Sequence, residues 1–424
     1  MLFTKPINEI TYQDVIEFCE GDHAEGFILE YKRDFPSNEM IAKTIAAFAN
    51  TYGGLLVIGV AAPNGRPVPP FEGIAFDGSL KYEEKIESVV LSHIREPVFP
   101  ETRVCEPVDG KTFVLVRVSE SHLTPHRVAA NSRIYVRTGQ SSTPNEEASW
   151  DKIEWLASRR RKSEEFRELL IEEGNRYFRD ACKLRGIDPN DKKHYFAVLS
   201  LAAVPLFPRE RLVPFKNLDR IGNQIRVHDR AGNQFPRSFY EGQPIQEGIR
   251  KLYIAGDDAT RPVHGSWFEY THLNSFGLYL YKRDIGIINT GPGTNPDGSP
   301  GSIELRTINF HWISSPLHQF LSSAVIFYEK LAYWGTVQVK VELTNALGTR
   351  LAHPLSGQIA LMDHSDLLVP SDHLTWEETV PFPTLRDHLR DVVVEIVDSA
   401  AWSLGVRYFT EDRIRASLKE NFGD

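Results

Sequence analysis

Several things that this 424-residue chain has little of limit what it can be. It has only 3 cysteines, without paired spacing, so the sequence predicts neither a disulfide framework nor a zinc knuckle. Acidic residues outnumber basic ones by 57 to 48, and the net charge of −9 argues against a protein that coats nucleic acid nonspecifically. No apolar run is long enough to span a membrane and no basic-then-apolar signal opens the chain, so we expect a cytoplasmic protein.

Common catalytic and nucleotide-binding motifs are missing as well. The sequence contains no G-x4-G-K-[S/T] phosphate loop, so we recognise no ATP site. It also lacks the H-E-x-x-H and G-x-S-x-G motifs and a dinucleotide-binding fingerprint. What remains is an ordinary globular composition, 41% hydrophobic and 25% charged, in a chain long enough for two domains.

The stretch from Glu25 to Val60 carries the most information. Alternation predicts a strand over Phe27–Arg33, and Ser37 then caps a helix whose apolar residues recur at helical spacing. A tight turn at Gly53-Gly54 leads into Leu55–Val60, a continuous apolar run typical of a buried strand. The predicted unit is therefore strand, helix, buried strand.

The predicted first strand places Glu30 and Lys32 on one face, with Glu25 just upstream. Two carboxylates can hold a hard divalent ion that activates water, and a lysine can stabilise charge on a phosphate. The alternative is a solvated face on which Glu30 and Lys32 simply form a salt bridge. Spacing alone does not separate the two.

A longer series of motifs resembles the Schlafen AlbA-like domain family, which occurs in prokaryotic proteins and in animal Schlafen proteins. The resemblance covers roughly the first 155 residues. It rests on Glu25, Glu30-Tyr31-Lys32, Ala46–Thr51, Gly53-Gly54, Ile58-Gly59-Val60, Pro125-His126 and Arg133–Thr143.

The resemblance implies a nucleic-acid-binding module, and some members are metal-dependent endoribonucleases acting on transfer or ribosomal RNA. It implies Glu25, Glu30 and Lys32 as catalytic residues, with Glu25 and Glu30 as ligands for Mg²⁺ or Mn²⁺. The family's third carboxylate falls at Ala62, which has no metal-ligating oxygen. Animal relatives enclose nucleic acid between two such lobes, and this chain shows one copy, so we expect a homodimer.

A second set of residues is expected to bind RNA or DNA. Arginine, lysine, hydroxyl and amide groups are the partners that phosphate oxygens take. A charged edge strand is the structural alternative for Arg133 and Arg137, which are predicted to share one face with Tyr135. The expected nucleic-acid-binding residues are Lys32, Arg33, Lys43, Arg133, Arg137, Ser141, Ser142 and Thr143.

The predicted fold class is α+β, with a mixed-sheet AlbA-like domain over residues 1–155, a helical connector over 156–190 and a second α+β domain over 191–424. The connector belongs to a long helix predicted from Trp150 to Arg185. In the second domain we predict a helix that starts at Ser315, capped before Pro316, and an exposed loop over Gly291–Gly301. No known family is recognisable in this half.

Two functions of different classes remain open at this stage. The first is a divalent-metal-dependent endoribonuclease on structured RNA such as tRNA, with Glu72 or Asp77 replacing the missing carboxylate if their loop folds back. The second is a noncatalytic nucleic-acid-binding or regulatory protein whose C-terminal domain binds a ligand or a protein partner. Ala62 favours the second function, and the intact Glu25, Glu30 and Lys32 favour the first.

Overall fold

The structure, a computed structural model, describes most of the 424 residues. The described ranges are 2–3, 5–121, 123–139, 144–188, 197–208, 211–237, 242–255, 267–294, 299–309, 311–352, 368–406 and 410–423. The chain divides into two compact units, and both combine helices with sheets, as the α+β prediction requires. The first unit is Met1–Glu164 with Trp334–Thr336, and the second is Glu165–Tyr333 with Val337–Asp424.

The elements of the first unit begin with a short 3₁₀ turn over Ile7–Glu9. Its helices are α1 (Tyr12–Glu20), α2 (Asn38–Asn50), α3 (Tyr82–His93) and the first part of α4 (Trp150–Leu184). Its described strands are β1 (Leu29–Lys32), β2 (Gly54–Ile58), β3 (Ile74–Ala75), β4 (Ile94–Arg95), β5 (Glu101–Val104), β6 (Lys111–Thr112), β7 (Val114–Val118), β8 (Arg127–Val128), β9 (Tyr135–Arg137) and β10 (Asn145–Glu147).

A four-stranded mixed sheet in the order β1-β2-β7-β5 forms the centre of this unit. β1 and β2 are parallel, whereas β7 is antiparallel to both β2 and β5, which confirms the predicted mixed sheet. Both faces are covered: Leu55 and Val57 pack with α1, and Leu56 and Ile58 pack with α2 and α3. This two-sided burial explains why β2 is apolar at every position rather than at alternate ones.

The local sequence signals around α2 are confirmed. The Ser37 hydroxyl accepts a hydrogen bond from the Met40 amide at 3.3 Å, so it caps the helix as predicted. After the helix, Gly53 has a φ of 75°, and its amide donates to the Phe48 carbonyl at 2.9 Å. This left-handed residue lets the chain reverse directly from α2 into β2.

The second unit is built around a seven-stranded sheet in the order β14-β15-β16-β17-β11-β20-β22. A three-stranded sheet in the order β18-β19-β21 and a small hairpin of β12 and β13 accompany it. Its strands are β11 (Val198–Pro205), β12 (Val227–His228), β13 (Gln234–Phe235), β14 (Gln243–Ile245), β15 (Gly248–Ala255), β16 (Trp267–Asn274), β17 (Tyr279–Asp284), β18 (Gly286–Thr294), β19 (Pro300–Asn309), β20 (Thr336–Thr344), β21 (Arg350–Ala352) and β22 (His373–Pro381). Its helices are the rest of α4, then α5 (Leu218–Gln224), α6 (His311–Lys330), α7 (Phe382–Asp387), α8 (Leu389–Ser403) and α9 (Glu411–Phe422), with a 3₁₀ turn over Phe215–Asn217.

The helix predicted from Trp150 to Arg185 is confirmed as α4, but two predictions in the second unit are wrong. Helix α6 begins at His311, not at Ser315, because Ile313 is buried and the apolar stripe already starts there. Of the predicted loop Gly291–Gly301, residues 291–294 lie in β18 and residues 300–301 lie in β19, and these strands pair antiparallel from Gly286 opposite Ile308 to Thr294 opposite Pro300. Residues 295–298 of that prediction fall outside the described residues. The hydrogen bonds between two strands join backbone atoms and do not depend on side chains. A glycine-rich sequence therefore offers no side-chain pattern from which this strand pair could be predicted.

The Gly53 turn yields a test of its conformation. A β-carbon on Gly53 would lie 2.6 Å from the Val118 carbonyl oxygen, whereas one on Gly110, which has a similar φ of 72°, would meet nothing within 4 Å. Gly110→Ala should therefore cost only the left-handed backbone strain, about 1–2 kcal/mol, and Gly53→Ala should cost more. Urea denaturation measures both, and equal losses of stability would contradict the tight packing at Gly53.

Candidate nucleic-acid interface

Glu30 lies inside the first unit rather than on its surface. Strand β1 pairs with β2, and its Leu29 and Tyr31 side chains pack into the apolar cluster beneath α1. The alternation of the strand turns Glu30 to the opposite side, toward α2, where only 1% of its side chain is exposed. A carboxylate buried this deeply must find hydrogen-bond donors to replace water.

Four donors surround the Glu30 carboxylate. The Lys32 ammonium lies 2.7 Å from Oε1, and the Thr44 hydroxyl donates to the same oxygen at 3.2 Å. The Arg137 guanidinium donates to Oε2, and the Asn145 amide donates to it at 3.2 Å. A carboxylate has about four lone-pair positions, so these donors occupy the whole acceptor capacity of Glu30.

Arg137 is the central partner in this cluster. Its side chain is 0% exposed, and its second amino group donates to the backbone carbonyls of Gly26 and, at 2.9 Å, of Leu29. The guanidinium also lies over the Phe48 ring, 4.6 Å from the ring centre. Arg137 thus joins β9 to β1 and to α2 through contacts that are shielded from solvent.

The two cations determine the charge state of Glu30. Burial acts to raise the pKa of Glu30, but the positive charges of Arg137 and Lys32 outweigh it and hold that pKa below its ordinary value. Glu30 is therefore a carboxylate at neutral pH, and the pair with Arg137 is a buried ion pair.

Glu25 lies at the edge of the same cluster. It is half-buried, and its Oε1 accepts a hydrogen bond from the Tyr31 amide at 2.7 Å. Burial raises the pKa of Glu25, and the nearby negative charge of Glu30 adds to the rise, against the lowering effects of the Tyr31 amide and of Lys32. The family resemblance implies that the carboxylates of Glu25 and Glu30 lie close together, and the charge of Glu30 does act on Glu25.

This donor set does not fit a divalent metal ion. A ligand oxygen needs a free lone pair, and both oxygens of Glu30 already accept two hydrogen bonds each. Ala62 packs against the apolar cluster beneath the sheet, so it contributes no oxygen. Across the described ranges, no group of three or more His, Cys, Asp or Glu side chains is arranged to hold a metal.

The two acidic residues considered as replacements for Ala62 are engaged elsewhere. Glu72 forms an ion pair with Lys111. Asp77 accepts hydrogen bonds from the amide of Ser79, at 2.9 Å, and from its hydroxyl, at 2.7 Å. Neither residue has a contact with Glu25 or Glu30 in the part of the chain that the structure describes.

The other predicted binding residues lie in different settings. Arg33 is exposed and forms no ion pair among the described residues. Lys43 is partly buried, with its ammonium 4.7 Å from the centre of the Tyr135 ring. Arg133 is exposed and lies 3.4 Å from Glu147. Lys32, with 26% of its side chain exposed, is the cation that reaches from Glu30 toward solvent.

The expectation that Arg133 and Arg137 share one face is wrong. Strand β9 spans only Tyr135–Arg137, and Arg133 precedes it outside any strand, so the two arginines do not follow one alternation. Arg137 points inward to Glu30, so the Arg137 guanidinium is not exposed where a phosphate could contact it. Ser141, Ser142 and Thr143 fall outside the described residues.

Sequence reasoning missed Thr44 and Asn145, which complete the Glu30 cluster. The sequence contains a signal for Thr44, because this polar residue stands among the apolar residues that α2 buries. Asn145 had none: it is 115 residues away from Glu30 and only the fold brings it close.

A comparison with protein families matches part of this unit. Residues 25–146 match the family described as Schlafen, AlbA_2. A solution NMR structure of the N-terminal domain of a protein from Nitrosomonas europaea, described as related to the ATP-dependent DNA helicase RecG, is 26% identical to the chain. The match covers 31% of this chain and 91% of that one, with a TM-score of 0.26. None of the curated proteins compared matches the chain.

The buried ion pair yields a double-mutant test. Glu30→Gln and Arg137→Met should each destabilise the protein by about 3–5 kcal/mol, because Glu30→Gln leaves Arg137 buried without its counter-ion and Arg137→Met leaves the buried Glu30 with Lys32 alone. The double variant should lose clearly less than the sum of the two. Arg133→Met, which breaks the exposed pair with Glu147, should cost about 1 kcal/mol or less in urea denaturation and is the control.

The sign of the pH dependence follows from the lowered pKa of Glu30. Its stabilisation is fully present above the ordinary glutamate pKa, about 4.3, and is lost as the pH falls through the lowered value. The stability difference between wild type and Glu30→Gln should therefore narrow in acid.

The double-mutant test also has a result that would contradict it. If Glu30→Gln and Arg137→Met each lower the free energy of unfolding by no more than Arg133→Met does, the buried pair does not have this structural role.

Proposed function

We propose, from the premise that residues 25–146 form a Schlafen AlbA_2 domain, that this chain binds nucleic acid through that domain without a divalent metal ion and without cleaving it. The domain itself indicates a function related to nucleic acid. The observation that carries the choice between binding and cleavage is the saturated Glu30 carboxylate, whose four donors leave no position for a metal ion.

The charge balance of the cluster supports the same choice. Glu25 and Glu30 carry two negative charges when ionised, and Lys32 and Arg137 carry two positive ones, so a divalent ion would enter a site with no net negative charge. To free an oxygen of Glu30, the metal would have to displace Arg137, which would then be a buried cation without a counter-ion. Breaking a buried pair in this way costs about 3–5 kcal/mol.

Binding then depends on the cations that stay accessible. Arg33 is exposed and unpaired among the described residues, and Lys43 and Lys32 are partly exposed. Contacts of this kind to phosphate oxygens supply affinity that falls with salt. With a net charge of −9, the chain must concentrate such contacts in one region to attract a polyanion at all.

Fluorescence anisotropy tests the proposal with labelled hairpin RNA, single-stranded RNA and single- and double-stranded DNA. We expect binding that is the same in EDTA and in Mg²⁺ or Mn²⁺, with intact probes on a denaturing gel. Arg33→Ala should weaken binding and lower the salt slope by about 0.7–0.9, the value of one phosphate contact. Arg220→Ala removes an exposed arginine of α5 that is unpaired among the described residues, and it should leave binding unchanged.

Three results would overturn this proposal. Divalent-dependent cleavage that Glu25→Gln abolishes would mean that the cluster opens to admit a metal. Ala62→Asp, which restores the family's third carboxylate, should remain inactive in Mg²⁺ and Mn²⁺, and a gain of cleavage there would equally favour the endoribonuclease. Absence of binding to all probes would remove the function itself.

A homodimer that encloses the nucleic acid with two copies of the domain is the proposed assembly, and recognition of a ligand or protein partner stays a prediction for the second unit. Light scattering with and without a bound hairpin RNA measures the assembly. We expect the mass of two chains, about twice 48.2 kDa. A single-chain mass with binding intact would show that one domain is sufficient.

A further inference from the structure

Strands β4 and β8 form a two-stranded ribbon with two arginines facing each other. Their antiparallel register pairs Ile94 with Val128 and Arg95 with Arg127. Ile94 and Val128 are buried, so the alternation of both strands turns Arg95 and Arg127 outward on one face, and both are exposed. Like charges directly opposite each other destabilise a strand pair.

This arrangement contrasts with that of four other surface cations of the same unit. Lys5, Arg66, Lys81 and Lys111 each form an ion pair with an acidic partner. Neither arginine of the ribbon forms an ion pair or a side-chain hydrogen bond with any described residue. The acidic neighbour along the chain, Glu96, also lies outside ion-pair distance of both. The ribbon therefore presents two positive charges that nothing described in the chain neutralises.

The ribbon is held in place from beneath. The Asn50 side chain at the end of α2 donates to the His126 carbonyl at 2.8 Å and accepts from the His126 amide at 2.9 Å. The buried His126 ring in turn donates from Nδ1 to the Glu96 carbonyl, on the other strand's exit. The Ala129 amide adds a bond to the His93 carbonyl at 2.7 Å. The two arginines are thus fixed at one spacing, so binding does not have to order their backbone.

Exposed apolar side chains lie within four residues of each arginine in the sequence. Phe99, four residues after Arg95, is 72% exposed, and its ring contacts no other described aromatic ring. Leu123, four residues before Arg127, is 58% exposed. Four residues of chain span at most about 14 Å. Phe99 and Arg95 can therefore contact nucleotides that are about two or three positions apart in one bound strand.

Two fixed cations beside an exposed aromatic ring match the chemistry of a single-stranded nucleic acid. Its phosphates accept hydrogen bonds from arginine, and its unstacked bases can lie on an aromatic face. A duplex offers the phosphates but keeps its bases stacked and paired. A ribbon of two residues per strand is also too short to enter a major groove in the way that longer ribbons do.

We propose that the β4–β8 ribbon and Phe99 form a contact for single-stranded nucleic acid, in which Arg95 and Arg127 pair with backbone phosphates and Phe99 stacks on a base. The inference rests on the proposed binding function and adds to it the strandedness of the ligand. It also adds three residues that the family resemblance did not point to.

Anisotropy titrations with 12-nucleotide oligouridylate, 12-nucleotide oligodeoxythymidylate and a 12-base-pair RNA duplex test it. The double variant R95Q/R127Q should lower the salt slope for the single strands by about 1.4, the value of two phosphate contacts. F99A and F99L should weaken single-strand binding by about 5- to 150-fold without changing the slope, and F99Y, which keeps the ring, should bind as wild type does. The duplex should bind more weakly than the single strands, and F99A should not change its affinity.

Two controls separate binding from folding. R220Q, the matched loss of an exposed unpaired arginine in the second unit, should bind as wild type does. R95Q and R127Q should not lower the melting temperature, because each removes a like-charge opposition. A lower melting temperature in either would show that the arginines stabilise the fold and would overturn the proposal.

Other results overturn the inference and leave the proposed function in place. One such result is that R95Q/R127Q and R220Q weaken binding by the same factor relative to wild type. Another is that F99L binds single strands as tightly as wild type does. Competition by polyglutamate as strong as that by oligouridylate would instead favour an acidic protein partner. If the wild-type chain binds none of the probes, the proposed function and this inference both fail.

Discussion

The first unit depends on satisfying one buried carboxylate. Glu30 is almost fully buried on β1, and burying an ionised carboxyl is unfavourable unless charges and donors surround it. Its partners come from β1 itself, from α2 and from β9 and β10, elements far apart in the chain. The convergence of these elements on one side of the sheet is therefore tied to the hydrogen-bonding needs of Glu30.

That requirement also gives the motif residues Glu30 and Lys32 a structural role. A catalytic carboxylate needs an oxygen that faces the solvent or the metal, whereas Glu30 gives both oxygens to the protein. Lys32 is bound by the same carboxylate, so its charge is partly neutralised before any phosphate approaches. With Ala62 packed against apolar residues, the site has two of the motif's three carboxylates, and the Glu30 carboxylate is fully hydrogen-bonded within the protein.

The sequence predicted what depends on neighbours along the chain and failed where distant elements decide. The Ser37 cap, the Gly53 turn and the long helix α4 follow from residues within a few positions, and all three were predicted. The Glu30–Arg137 pair spans 107 residues, and no local pattern indicates that an arginine in an alternating strand turns inward. The pairing of β18 with β19 was missed for the same reason, since backbone hydrogen bonds to a partner strand leave little trace in a glycine-rich sequence.

The placement of positive charge determines where the surface of the domain can attract a negatively charged ligand. An arginine with a buried acidic partner, as Arg137 has, contributes to the fold and little to the external field, because its charge is cancelled within a few ångströms. A cation without such a partner acts outward, and in an acidic chain it stands out against its surroundings. Arg33 and the opposed pair Arg95 and Arg127 are cations of this kind. The residues that we propose for phosphate contact are thus the cations without an acidic partner, whereas the motif residues Glu30 and Arg137 pair with each other inside the domain.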